Sequence, residues 1–112
     1  MGCLFCKIAA KELDSETVYE SERVVAFKDI NPAAPVHVLV IPKEHIESAH
    51  ELDSSHAETL AEMFEAISNI ATEQGVEKGY RVVTNIGGDA GQSVYHLHWH
   101  LIGGRQLSWP PG

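Results

Sequence analysis

The run Tyr95-His-Leu-His-Trp-His-Leu-Ile102 constrains this chain more than any other segment. Apolar and histidine positions alternate strictly across it, the period of a β-strand and not of a helix. The pattern predicts a strand from about Val94 to Ile102, with His96, His98 and His100 on one face. Leu97, Trp99 and Leu101 then share the opposite face and need a helix to cover them. Filling a core with three imidazoles would leave several polar nitrogens to satisfy, so the histidine face reads as a working surface.

The rest of the chain supplies the layers. A short N-terminal helix is expected from Cys3 to Glu12, on the spacing of Leu4, Ile8 and Leu13. Thr17–Tyr19 and Val24–Phe27 read as short strands, and Asp29-Ile-Asn-Pro-Ala-Ala-Pro35 as a loop. Val36–Ile41 is a continuous apolar run with His37 inside it, expected as a central strand. The long helix is expected to start near Ser54 or Ser55, with Ser55 and Glu58 forming a capping box. Leu60, Met63, Phe64, Ile67, Ile70 and Ala71 make its apolar stripe, and Gly75 its stop. Tyr80–Asn85 reads as another strand, followed by the glycine-rich turn Gly87-Gly-Asp-Ala-Gly91. The expected fold is α+β: about five mostly antiparallel strands, one long helix and a short N-terminal helix, in one domain over residues 1–112.

Composition narrows the function. The 112 residues carry 8 Lys and Arg against 16 Asp and Glu, a formal charge of −8, so no basic stripe for a nucleic-acid backbone is present. No apolar run approaches the roughly 18 residues of a membrane span, and no secretion signal is read at the start. Met1-Gly2 is similar to an acylation start, but Cys6 stands where Ser or Thr is needed. Cys3 and Cys6 are too close in sequence to staple a fold, and the expected location is the cytoplasm.

Two chemistries compete for the histidine face. His-x-His on a strand is a familiar zinc spacing, yet the outer Cα atoms of the triplet would lie about 13 Å apart. A pair can share one ion, whereas the whole triplet suits an elongated groove along a substrate. Gly87, Gly88 and Gly91 beside it read as a candidate phosphate cradle, without the Gly-Lys-Ser/Thr of a Walker loop.

Gly91-Gln-Ser-Val-Tyr-His-Leu-His-Trp-His-Leu-Ile-Gly-Gly-Arg105 resembles the signature of the histidine-triad (HIT) superfamily, in which histidines alternate with apolar residues. Ala26–Lys43, Gly79–Asn85 and the Trp109-Pro-Pro-Gly112 end are similar to its Hint branch, homodimeric purine-nucleoside phosphoramidases. That resemblance implies hydrolysis of an AMP-like phosphoramidate, with dinucleoside polyphosphate hydrolysis or a zinc-containing nucleotide-binding module as alternatives. It implies His98 as nucleophile, His100 as phosphate donor, Ser93 near the leaving group, and His37 and His96 in the supporting network. Asp29 matches the ribose-binding carboxylate; Asn85, Gly91, Gln92 and Ser93 match the phosphate side. Phe5, Ile8, Leu13, Phe27 and Ile30 match the purine walls, although as residues they fit equally as core. Chemistry of this kind requires no cofactor. Several bacterial members bind structural zinc through residues matching Cys3, Cys6, His45 and His96, a closed tetrahedral set, although Cys-x-x-Cys alone is a weak signal. No role is expected for His50 or His56 beyond helix capping.

Overall fold

The computed structural model describes residues 3–112; Met1 and Gly2, where the acylation reading falls, lie outside it. Five strands form one sheet: β1 (Thr17–Glu20), β2 (Val24–Lys28), β3 (Val36–Pro42), β4 (Tyr80–Val83) and β5 (Trp99–Gly103). Their order is β1-β2-β3-β5-β4, and every neighbouring pair is antiparallel. The helices are α1 (Leu4–Ala9) and α2 (Ala57–Glu73).

Alternation along β3 divides the sheet into two faces. Val38 and Val40 meet Val24, Ala26, Leu97 and Leu101 on the α2 side, where Met63, Ala66, Ile67 and Ile70 close the main core. Leu39 and Ile41 face the other way, with Val25 and Phe27, and α1 adds Phe5 and Ile8 to that smaller cluster. Register then places the histidines: Leu39 pairs with His100, and Val38 with Leu101. Directly opposed residues share a face, so His100 sits on the α1 side and Leu101 beneath α2.

Four boundaries differ from expectation. α1 ends at Ala9 because Lys11 turns left-handed at φ +65°, with Glu12 N–H bonded to Lys7 O and Lys11 N–H to Ile8 O. That double bond is the closing motif glycine usually supplies. α2 is preceded by a 3₁₀ turn at Ser54–His56 capped by Asp53, which accepts from Ser55 N–H while His56 Nδ1 accepts from Asp53 N–H. Glu58 pairs instead with Arg23 at 3.2 Å, so the Ser55–Glu58 box does not form. β4 stops at Val83, where Thr84 Oγ1 turns to donate to His98 O.

β5 begins at Trp99, five residues later than the alternation predicts. Its partner β3 ends at Pro42, which has no N–H to continue the ladder. Leu97 N–H bonds to Ile46 O instead, at 2.6 Å. The carbonyl of His96 is thereby left for a side chain, and the site depends on it. Among the described residues no helix is long and apolar enough to cross a membrane.

Candidate active site and metal centre

His98 is 6% exposed and donates from Nδ1 to the carbonyl of His96 at 2.7 Å. A nitrogen bonded to a carbonyl must carry the proton, so the lone pair of this imidazole resides on Nε2. The ring borders a cavity of about 730 Å³, well within the range of small-molecule sites. Phe5 packs edge-on against it, the ring centroids 5.1 Å apart.

A second chain of hydrogen bonds sets His100. Ala33 N–H donates to His37 Nδ1 at 2.9 Å, so the proton of His37 is on Nε2. That nitrogen lies 2.9 Å from His100 Nδ1, which must accept, leaving His100 with N–H at Nε2. The arrangement yields one imidazole with a free lone pair and a neighbour with a free donor, their centroids 5.1 Å apart. Burial, then the neighbouring His98 and His37, lowers the His100 pKa to about 4, which keeps the donor neutral. Asp29 Oδ2 stands 3.4 Å from His37 Nε2, and its Oδ1 accepts from Asn31 N–H at 2.8 Å. Asp29, His37 and His100 are close enough for a metal set, but the imidazole nitrogens are at hydrogen-bond distance with their protons assigned.

The cavity walls bring together Phe5, Ile8, Leu13, Phe27, Asp29, Ile30, Ser93, His98 and His100 from the sequence reading. Phe5, Ile8 and Phe27 are also core, whereas Ile30 is 92% exposed at the rim. Asn85, Gly91 and Gln92 are not on the walls. The glycine-rich turn closes on itself, with Gly91 N–H bonded to Gly88 O and Gln92 N–H to Gly87 O. Gly87 and Gly91 hold φ of +84° and +95°, which is why glycine stands at both. Gln92 is fully engaged: Oε1 accepts from Gly87 N–H, and Nε2 donates to Glu47 O and Val94 O. Its amide holds the turn and is not free to donate to a phosphate. Asn85 packs beside that turn, its Nδ2 3.9 Å from where a Cβ on Gly91 would sit. Ser93 therefore represents the Gly91–Ser93 stretch at the cavity. Sequence reasoning missed Leu39, whose position two residues beyond His37 on the same strand face was the available signal.

The third histidine points elsewhere. His96 is fully buried, and its Nε2 donates to Pro42 O at 2.8 Å, leaving the Nδ1 lone pair to face Cys3, Cys6 and His45. Cys3 Sγ lies 3.2 Å, Cys6 Sγ 3.4 Å and His45 Nδ1 3.3 Å from that nitrogen. One lone pair accepts one proton, so three neighbours converging on it are not explained by hydrogen bonding alone. Edges of roughly 3.3–3.8 Å are what a tetrahedral ion with bonds of about 2.0–2.3 Å requires. Cys3, Cys6, His45 and His96 thus fit a structural zinc, and the Nε2–Pro42 bond is the outer-shell contact such a ligand uses. Burial, then the adjacent Cys3 thiol, pushes the Cys6 thiol up to about 11, while burial lowers His96 and keeps its imidazole neutral. A divalent cation would reverse the thiol's preference by displacing its proton. His50 follows the Ser48 cap and His56 belongs to the Asp53 box, both outside the cavity.

An antiparallel sheet that sets two oriented imidazoles over a nucleotide-sized cavity, with a third in a Cys/His cluster, defines a histidine-triad domain. The chain belongs to the histidine-triad superfamily, matching over residues 2–108 the family model described as "Scavenger mRNA decapping enzyme C-term binding". It is 48% identical over 111 residues to a 14 kDa zinc-binding protein of Zea mays, covering 97% of this chain and 87% of that one. A HIT family hydrolase from Legionella pneumophila superposes with a TM-score of 0.97 at 45% identity, covering 99% of this chain and all of the other. Another, from Clostridium thermocellum, gives 0.92 at 54% identity, with 96% and 94% covered.

Proposed function

We propose that the protein is a hydrolase that cleaves the P–N bond of a purine nucleoside 5′-phosphoramidate, AMP-like in its nucleotide part, through a nucleotidyl-histidine. The single observation carrying this reading is His98, whose Nδ1–H is anchored on His96 O and whose other nitrogen is left for the cavity. Superposition on two proteins named HIT family hydrolases supports the hydrolase class. The Trp109-Pro-Pro-Gly112 ending, with its likeness to the Hint branch, supports the phosphoramidate bond.

In the first step His98 Nε2 attacks phosphorus, and the P–N bond to the leaving amine breaks. The departing amine takes a proton from solvent water, relayed by the Ser93 hydroxyl on the same wall. The imidazole becomes cationic, and the His96 carbonyl stabilises its Nδ1–H. His100 Nε2–H donates to a phosphoryl oxygen as charge develops there, a contact worth a few kcal/mol (~3) in a water-poor site. Water then attacks phosphorus and gives up a proton to solvent, the P–Nε2 bond breaks, and neutral His98 is restored with release of the nucleotide. Asp29 faces the ribose, while Phe5, Ile8, Phe27 and Ile30 face the base. Zinc held by Cys3, Cys6, His45 and His96 would be structural, and no step passes through it.

The charge of −8 argues against an extended RNA substrate, despite the decapping enzyme in the family model's description. A homodimer fits the open edge of β4 and the exposure of Trp109 and Phe64 (79% and 40%). Sedimentation should give twice the chain mass; a monomer at micromolar concentration contradicts the dimer. Thiols that must stay reduced to hold metal fit the cytoplasm.

A zinc-containing nucleotide-binding module is the second reading, favoured by the Cys/His cluster and by relatives named zinc-binding proteins. Turnover of adenosine 5′-phosphoramidate and diadenosine polyphosphates, measured beside AMP affinity, separates the readings. Preferred cleavage of the phosphoramidate is expected. Preference for the polyphosphate, or AMP binding without turnover of either, overturns the proposal.

A further inference from the structure

We infer that the Cys3–Cys6–His45–His96 cluster positions the nucleophile, so that metal occupancy sets how well His98 is aimed. This deepens the hydrolytic reading above and rests on it. The cluster reaches His98 by two routes. His96 contributes Nδ1 to the cluster and its carbonyl oxygen to His98 Nδ1–H, so one fully buried residue joins both sites. Phe5 lies between the two cysteines in sequence and packs edge-on against both His96 and His98, at 6.1 and 5.1 Å between centroids.

The sheet does not perform this positioning itself. Residues 94–98 precede β5 and lack its ladder. Their anchors to the surrounding structure include Gln92 Nε2 on Val94 O, Leu97 N–H on Ile46 O, His96 Nε2 on Pro42 O, and Thr84 Oγ1 on His98 O. Leu97 N–H lies in the same planar peptide as the His96 carbonyl, so its bond to Ile46 O orients that carbonyl, and Ile46 adjoins the cluster residue His45. A filled cluster would hold the His96 ring between Pro42 and the metal and would hold His45 beside Ile46, so that both the ring and the peptide bearing the His96 carbonyl keep their place against His98. With the cluster empty, Cys3, Cys6 and His45 have no common partner, and the ring keeps only the Pro42 bond.

A purely structural metal would also steady α1, whose Phe5 and Ile8 line the nucleotide cavity. Loss of that wall weakens nucleotide binding, whereas loss of aim slows the chemical step, so the two roles separate kinetically. The experiment compares zinc-loaded protein, metal-stripped protein and a Cys3→Ser/Cys6→Ser variant, with folding followed by circular dichroism. Serine at position 3 keeps an oxygen to cap α1 where Cys3 Sγ accepts from Cys6 N–H. Two readouts are taken: kcat and KM for adenosine 5′-phosphoramidate, and long-range ¹H–¹⁵N spectra of the imidazoles without substrate.

The stripped protein and the variant should both lose roughly ten- to hundredfold in kcat, the scale of a small misplacement, while KM moves less than about threefold. The His98 ring should show a single Nδ1–H tautomer with zinc and a mixture without it, and adding zinc back to the wild type should restore both. A loss confined to KM, an unchanged His98 tautomer, or unfolding on metal removal each overturns the inference. If the loaded protein turns over no phosphoramidate, the proposed activity fails, and the tautomer spectra alone still decide the coupling.

Discussion

Each imidazole of the triad has its nitrogens assigned by a different neighbour. His96 is held by Pro42 O, His98 by His96 O and His100 by His37. The proposed nucleophile, His98, and the proposed donor, His100, therefore differ by hydrogen bonding and not by residue type. Replacing His98 with Ala should lower turnover roughly 10³-fold or more while leaving nucleotide affinity within a few-fold, since a covalent nucleophile is lost but the cavity remains. Steady-state kinetics beside an AMP titration checks this; retention of more than a tenth of wild-type turnover would exclude the role. His100 carries a pH prediction. Its folded pKa is lowered to about 4, through burial first, so between that value and the ordinary 6.5 the unfolded chain binds more protons than the folded one. Stability should fall as pH drops through that window, and His96, lowered by burial as well, acts in the same direction. Urea denaturation at pH 7 and pH 5 measures the loss, which His100→Gln should reduce; an equal loss in that variant would contradict the assignment.

Individual elements show how the sheet was tuned for this site. Gly104 closes β5 with φ +93°, and a Cβ there would stand 3.0 Å from Pro35 Cβ. Gly104→Ala should destabilise the fold by about 1–2 kcal/mol through the left-handed backbone alone, with more from the Pro35 contact. A urea midpoint unchanged from wild type would contradict this reading of the turn. The division of the histidine strand into a core face and a site face was legible, because alternation with period 2 is local and uninterrupted from Tyr95 to Ile102, whereas that of β3 was not, its run Val36–Ile41 being apolar on both faces. The start of β5 was not legible, since it depends on Pro42 in a strand more than fifty residues earlier. The capping of α2 was misread for a related reason. Ser55 and Asp53 both suit a cap, and only the Arg23–Glu58 pair across the fold shows that Glu58 is engaged elsewhere. Gln92, which the family resemblance matches to the phosphate side, braces the turn in the structure, a role hidden in the sequence because its partner Glu47 O is remote.

The whole molecule is organised around two sites that share residue 96. One joins the chain's start, the loop after β3 and the triad; the other opens between α1 and the uncovered sheet face. Stripping zinc should lower the unfolding temperature, because binding to the folded state alone adds stability by mass action. Thermal denaturation with and without a chelator tests this, and identical midpoints would contradict a structural metal. The most direct test of the central claim is mass spectrometry of protein quenched during turnover of adenosine 5′-phosphoramidate. The account predicts an AMP-sized adduct on the peptide containing residues 95–102, localised to His98 and absent from His98→Ala. An adduct on another residue, or continued turnover with none formed, would contradict it.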